Sequence, residues 1–135
     1  MPYYVIEKAG EVLNKFKKSL NGSKVLILGA SYKKDIDDMR ESPSLKLIEI
    51  YREKGATVDY YDPIVPVLPK TRKYKYDMKS VKMTKEKIKS YDLVVLSTDH
   101  SIFNYKFIAD NSELIVDTRN AFETRGIKRK NIFKA

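Results

Sequence analysis

Apolar residues follow two different patterns along this chain. Short continuous apolar runs, each closed by glycine or a polar residue, predict strands that are buried on both faces of a parallel sheet. These runs span residues 24–29, 92–97 and 113–117, and a further strand is predicted at 57–61. Between the runs, apolar residues recur at three- and four-residue steps, which is the spacing of one face of a helix.

Start and stop signals delimit the two longer helices. The first predicted helix ends at Asn21-Gly22, a pair that favours the left-handed conformation found after helices. The second begins with Ser42 as N-cap and Pro43 in its first turn, and Gly55 ends it. The apolar face of the first helix comprises Val5, Ile6, Ala9, Val12, Leu13, Phe16 and Leu20.

Two shorter helices are predicted at 84–90 and 101–110, and the proline-containing stretch 64–80 predicts an irregular excursion. Strands that alternate with helices indicate an α/β fold: a Rossmann-like, three-layer domain with a mostly parallel sheet. We place a boundary after residue 21. Residues 1–21 are then an N-terminal linker helix whose exposed apolar face promotes dimerisation, and residues 22–135 form the α/β domain.

Composition excludes several kinds of chemistry. The 135 residues include no cysteine and a single histidine, His100, so a disulfide, a thiolate metal site or a histidine-based zinc site lacks the necessary residues. The net charge of +9 favours anionic partners such as phosphates, nucleotides, nucleic acid or an acidic membrane surface. No apolar run is long enough to cross a bilayer, and the N-terminus lacks the apolar segment of a secretory signal, so we expect a cytoplasmic protein.

Basic residues gather in loops that follow the predicted strands. Ligands of open parallel sheets bind beyond the carboxyl ends of the strands. The loops 30–41, 98–101 and 117–121 are expected at that edge. Together they carry Lys33, Arg40, His100 and Arg119, which is a suitable set for a phosphate-bearing ligand. His100 can contact a ligand, cap the next helix or make a structural hydrogen bond.

The loop after the first strand does not have a dinucleotide fingerprint. A Gly-x-Gly-x-x-Gly turn needs later glycines, but Gly29 is followed by no glycine before Gly55. Classical NAD binding by the backbone of this domain is therefore not expected. Tyr32 can instead stack on a base while Lys33 neutralises a phosphate, or both lie on a solvated surface loop.

Three further features each have two interpretations. Arg40, beside a helix start, can bind a pyrophosphate or form a salt bridge with a neighbouring carboxylate. The aspartates at 35, 37 and 38 lack the spacing of a calcium loop, so pairing with nearby lysines or with Arg40 is the simpler interpretation. The stretch 70–89 interleaves basic residues with tyrosines, as in some single-strand nucleic-acid binders, but no recognised motif surrounds it and we prefer a solvated surface.

Six segments of the chain form a distinctive ordered set. They are MPYYV at 1–5, GASYKKDIDDMRESPSL at 29–45, EKGA at 53–56, YYDP at 60–63, STDHS at 97–101 and VDTRN at 116–120. Taken in this order, they resemble the C-terminal domain of the UDP-glucose/GDP-mannose dehydrogenase family. The resemblance covers nearly the whole chain, and the long motif from Tyr32 to Pro43 is its most specific part.

This resemblance implies a function and the residues that serve it. Within the family the details are most similar to UDP-N-acetylglucosamine 6-dehydrogenases, with UDP-N-acetylmannosamine dehydrogenases as the close alternative. Tyr32 and Lys33 would meet the UDP, and Arg119 would reach the nucleotide-sugar side of the cleft. Arg40 would approach the phosphates of NAD, a cofactor that the resemblance assigns mainly to a separate N-terminal domain. The full enzyme would be a homodimer.

Such enzymes oxidise the sugar C6 alcohol to a carboxylate in two NAD-dependent steps, through a covalent cysteine adduct. Because this chain has no cysteine, we expect it to be inactive alone, with no catalytic residue and no metal ligand of its own. A stand-alone UDP-sugar-binding or regulatory module is the alternative function, and a nucleic-acid-binding protein is a remote one.

Overall fold

In the computed structural model, residues 2–31, 33–35, 42–70 and 76–135 are described. Five parallel strands form one sheet in the order β2-β1-β3-β4-β5, and four α-helices flank it. The strands are β1 (Lys24–Leu28), β2 (Thr57–Tyr61), β3 (Leu93–Leu96), β4 (Ile115–Asp117) and β5 (Ile132–Lys134). The helices are α1 (Pro2–Lys15), α2 (Pro43–Glu53), α3 (Lys85–Lys89) and α4 (Tyr105–Asn111), with a 3-10 turn at Glu123–Arg125.

The two faces of the sheet have separate cores. Because strand side chains alternate, Val25 and Ile27 of β1 point to one face and Leu26 and Leu28 to the other. The first face is covered by α1 and α2, and the second by α3 and α4. The predicted three-layer, Rossmann-like α/β architecture is thereby confirmed, and every strand pairing among the described residues is parallel.

Local capping signals place two helices as predicted. The Ser42 hydroxyl accepts a hydrogen bond from the Ser44 backbone N–H at 3.2 Å, at the start of α2. The Thr84 hydroxyl accepts one from the Lys87 N–H at 3.1 Å, at the start of α3. Within the described part of the chain, no helix combines the length and the apolar character needed to span a bilayer.

Other predicted boundaries are corrected. The helix expected at 101–110 begins only at Tyr105, because Asn104 is its N-cap and its side chain accepts the Phe107 N–H at 3.1 Å. The first helix ends at Lys15, before Asn21-Gly22. The C-terminal tail, for which no strand was predicted, adds the edge strand β5 beside β4.

The expected exposure of the apolar face of α1 is wrong. Five residues of this face pack against α2 and the sheet, and each is at most 8% exposed: Val5, Ile6, Ala9, Val12 and Leu13. Five of the seven residues of the predicted face are therefore covered within the chain, whereas Phe16, which lies beyond the end of α1, is half exposed. A boundary after residue 21 and a role in dimerisation stay predictions.

Candidate functional site

The order of the strands creates a crevice at one edge of the sheet. β1 and β3 are neighbours, and the helices that follow them, α2 and α4, lie on opposite faces. The loops that leave these two strands therefore diverge, which opens a crevice beyond their carboxyl ends. This is the usual ligand position in doubly wound sheets.

The backbones of the two diverging loops touch at Gly29. This residue has φ +87°, and a Cβ added to it would lie 2.6 Å from both the Cβ and the carbonyl oxygen of Thr98. Only glycine fits here without displacing backbone. The contact closes the floor of the crevice, so Gly29 serves packing between β1 and β3 rather than leaving room for a pyrophosphate.

Buried serines join the start of α2 to the ends of β1 and β3. The Ser42 hydroxyl donates to the carbonyl of Ala30. The Ser44 hydroxyl donates to the carbonyl of Gly29 at 2.7 Å and lies 2.6 Å from the Ser97 hydroxyl. These bonds hold the N-terminus of α2, which is the positive end of the helix dipole, at the crevice.

A buried hydrogen-bonded pair, His100 and Asp62, lies beneath the loop that follows β1. The Nε2 of His100 is 2.8 Å from Oδ2 of Asp62, and both side chains are fully buried. Burial alone would raise the pKa of the Asp62 carboxyl. Hydrogen bonds from His100 and from the backbone N–H groups of Ala30 and Ile64 outweigh that effect, and the pKa lies below its ordinary value. Of the three possible roles of His100, the structure shows hydrogen bonding within the protein.

Arg119 lies beyond β4, beside a cavity of about 380 Å³. Its Nε donates to the carbonyl oxygen of Ser97 at 3.1 Å, and its backbone N–H donates to the Asp117 carboxylate at 3.0 Å. The remaining walls are mainly apolar and include Val5, Pro43 and Leu47. An exposed guanidinium is thus held at the rim of a cavity of ligand size, next to the start of α2.

The structure describes two of the four predicted site residues, Lys33 and Arg119. Lys33 is exposed in the loop after β1, and Arg119 is exposed in the loop after β4, at the same edge of the sheet. Lys33 is not among the residues lining the cavity beside Arg119. Tyr32 and Arg40 lie outside the described residues, as do the aspartates at 37 and 38.

Asp62 and the buried serines were not predicted to belong to this site. Two signals lie near Asp62: an Asp-Pro pair at the end of a strand, which marks a turn, and the YYDP segment of the family resemblance, which assigned Asp62 no role. Its partner His100 is 38 residues away, and a pairing over that distance leaves no local pattern. The serines likewise act through long-range contacts with backbone carbonyls.

The described parts of the excursion after β2, residues 64–70 and 76–80, pack back onto the domain. Val65, Leu68 and Met78 are buried, and a short antiparallel bridge joins Val67 to Lys79. Tyr76 is half-buried, with the Arg52 guanidinium 5.0 Å from its ring centroid. A tyrosine held in this way is poorly placed to stack on a nucleic-acid base.

Comparison with known proteins identifies the domain. A profile of the UDP-glucose/GDP-mannose dehydrogenase family, UDP binding domain, matches residues 26–124. The chain belongs to this family. It is 33% identical over 137 aligned residues to a UDP-N-acetyl-D-mannosamine dehydrogenase of Methanococcus maripaludis, an alignment that covers 99% of this chain and 29% of that protein.

Solved structures agree with this assignment. The fold superimposes on UDP-D-ManNAc dehydrogenase from Pyrococcus horikoshii with a TM-score of 0.74 and 25% identity, covering 98% of this chain and 30% of the other. For NDP-N-acetyl-D-galactosaminuronic acid dehydrogenase from Methanosarcina mazei Go1 the TM-score is 0.76 with 26% identity, covering 99% and 28%. The chain thus spans less than a third of the length of these relatives.

Proposed function

We propose that this chain binds the UDP moiety of a UDP-sugar at the carboxyl edge of its sheet. The supporting observation is that the two predicted cations lie within the part of the chain that matches the family's UDP binding domain. The stretch that matches the family's UDP binding domain, residues 26–124, contains β4, most of β1 and the loops after these strands that carry Lys33 and Arg119. A diphosphate is the part of such a ligand that two cations at this edge can neutralise.

Each predicted residue then has a role. Lys33 contacts the diphosphate as a point charge, and Arg119 binds the nucleotide-sugar from the rim of the cavity. The resemblance places Tyr32 against the UDP and gives Arg40 the phosphates of NAD. The described residues themselves do not form a dinucleotide-binding turn, because Gly29 packs against Thr98. The binding of NAD is therefore assigned mainly to protein groups other than the described residues of this chain.

The activity of the whole enzyme is a further part of the proposal. We place this domain in a UDP-N-acetylhexosamine 6-dehydrogenase, which forms the uronic acid with NAD, and the names of the relatives favour N-acetylmannosamine as the sugar. Without a cysteine, the chain has no group for a covalent thioester step and is inactive by itself.

Calorimetric titration of UDP into the purified chain tests the nucleotide site. Lys33→Ala and Arg119→Ala should each weaken UDP binding by about tenfold, the loss expected for one charge-assisted phosphate contact. Lys54→Ala is the matched control, because Lys54 is exposed where α2 leads into β2, at the opposite edge of the sheet.

Unchanged UDP affinity in both site variants would refute this placement. Absence of UDP binding, both by the chain alone and with the remainder of a related dehydrogenase supplied, would refute the function. NADH formation by the chain from NAD and UDP-N-acetylmannosamine would overturn the expected inactivity.

A further inference from the structure

His100 is a buried imidazole with hydrogen bonds at both ring nitrogens. Its Nδ1 accepts the backbone N–H of Asp35 at 2.7 Å. Since a backbone N–H can only donate, Nδ1 carries no proton. The ring proton is therefore on Nε2, where it faces the Asp62 carboxylate at 2.8 Å, with the Ser31 hydroxyl at 3.2 Å. The environment selects one tautomer of the neutral ring.

Asp62 anchors this imidazole to the end of β2. Its Oδ2 accepts the Ala30 N–H at 2.8 Å and its Oδ1 accepts the Ile64 N–H at 2.9 Å. A carboxylate bonded in this way cannot rotate without breaking backbone contacts of two loops. It thus sets the direction in which His100 presents Nδ1 to Asp35.

Asp35 is fastened a second time, through its side chain. Its two carboxylate oxygens accept the backbone N–H and the hydroxyl of Ser101, each at 2.7 Å. These bonds from Ser101 lower the pKa of the Asp35 carboxyl. Asp35 also has φ +63°, a left-handed conformation that is unfavourable for a residue other than glycine. Three hydrogen bonds from the loop after β3 thus hold this conformation.

Lys33 lies between these fixed points. On its N-terminal side, the Ser31 hydroxyl donates to the Lys33 carbonyl at 2.9 Å. On its C-terminal side, Asp35 is bound to His100 and Ser101. The exposed lysine is therefore carried on a short backbone segment that is attached on both sides to buried groups.

We propose that His100 and Asp35 are positioning residues, which hold the Lys33 loop in the conformation that receives the diphosphate of the nucleotide. The inference rests on the proposed function, in which Lys33 contacts that diphosphate. A loop that is already ordered loses less conformational freedom when ligand binds. Breaking either attachment should therefore weaken UDP binding although neither residue touches UDP.

Two substitutions at His100 separate its two hydrogen bonds. Asparagine can keep an acceptor near the position of Nδ1 for the Asp35 N–H but cannot reach Asp62. Glutamine can keep a donor near Nε2 for Asp62 but offers no acceptor to Asp35. We expect His100→Gln to weaken UDP binding by about tenfold, and His100→Asn by about twofold or less.

Thermal stability should follow the opposite order. His100→Asn leaves the buried Asp62 carboxylate without one donor and should have the lower Tm. His100→Gln preserves that pair and should have the higher Tm. A purely structural role for His100 would lower affinity and Tm together, so opposite rankings support positioning and parallel rankings refute it.

Asp35→Ala provides a test at an exposed position, where folding is at little risk. It removes both bonds to Ser101 and should weaken UDP binding by about fivefold. Normal UDP affinity in His100→Gln and Asp35→Ala, together with weak binding by Lys33→Ala, would refute this inference and leave the proposed function standing. Normal affinity in Lys33→Ala would remove the basis of this inference, and normal affinity in Arg119→Ala as well would refute the placement of the nucleotide site.

Discussion

The carboxyl and amino edges of the sheet differ in how completely their buried polar side chains are hydrogen-bonded. At the carboxyl edge, eight described residues bury a polar or charged side chain, and all of them are hydrogen-bonded. They are Ser31, Ser42, Ser44, Asp62, Ser97, Thr98, His100 and Asp117. At the amino edge, the buried Ser23 hydroxyl donates to the Ser19 carbonyl, but the Ser112 hydroxyl, and the Tyr51 hydroxyl in the last turn of α2, are buried without a hydrogen-bond partner among the described residues.

The partners also differ between the edges. At the amino edge, Asp92 accepts the Lys24 N–H at 2.8 Å and the Lys18 ammonium at 3.0 Å in a partly exposed ion pair. At the carboxyl edge, bonds run mostly between buried side chains and the backbone of another loop. A polar network that is fully satisfied specifies one arrangement of its loops. The carboxyl edge is therefore the one whose loops are held in a defined conformation.

The largest expected effect is that of a methyl group at Gly29. Gly29→Ala combines a left-handed backbone with a clash at 2.6 Å against Thr98, so we expect a loss of about 4 kcal/mol in the free energy of unfolding. Gly22→Ala is the control at the amino edge. Gly22 has a similar φ of +85°, but an added Cβ meets nothing within 4 Å, so only strain of about 1 kcal/mol is expected.

Urea denaturation measures both variants. Equal losses at Gly22 and Gly29 would mean that the Gly29–Thr98 contact adds nothing to the cost of the backbone conformation. Packing of Gly29 against Thr98 would then not stabilise the floor of the crevice.

The second effect concerns Asp62 and its dependence on pH. The Asp62 carboxylate accepts hydrogen bonds from three donors, the N–H groups of Ala30 and Ile64 and the His100 ring. Asp62→Asn replaces one of its oxygens by an amide NH₂ group, which cannot accept. We therefore expect the free energy of unfolding to fall by about 2 kcal/mol at neutral pH. Because the folded-state pKa of Asp62 lies below its ordinary value of 3.8, the carboxylate stabilises the fold above the unfolded pKa. That contribution is lost as the pH falls through the folded pKa.

The difference in stability between wild type and Asp62→Asn should therefore be full above about pH 5 and should shrink below about pH 4. Chemical denaturation at a series of pH values measures it. Asp92→Asn, in the partly exposed pair at the amino edge, should cost only about 0.5 kcal/mol. A larger loss at Asp92 than at Asp62 would reverse the comparison of the edges.

The sequence signals and the structure agree where the signals are local. Ser42-Pro43 and Thr84 mark helix starts through hydrogen bonds to residues two or three positions away, and the apolar runs mark buried strands by composition alone. Even the delayed start of α4 has a local cause, because Asn104 caps it. Such features depend on neighbours that a linear pattern contains.

Long-range contacts explain the rest. The burial of the α1 face depends on α2 and the sheet, and the edge strand β5 has only three residues, too few for a periodic signal. The pair of Asp62 with His100 joins two loops that come together only when β1, β2 and β3 assemble. The predicted parallel sheet indicated which edge carries the candidate site, but no local pattern predicted the hydrogen-bond network beneath that edge.

The smallest expected effect comes from two tyrosines, both fully buried. Tyr60→Phe removes a hydroxyl that donates to the Val65 carbonyl at 2.8 Å, and should cost about 1 kcal/mol because that acceptor loses its partner. Tyr51→Phe removes a hydroxyl that has no partner among the described residues, and should leave stability unchanged or raise it by about 0.5 kcal/mol. Parallel urea denaturation decides between them: a loss in Tyr51→Phe as large as in Tyr60→Phe would show that polar groups near the amino edge are held as firmly as those near the carboxyl edge.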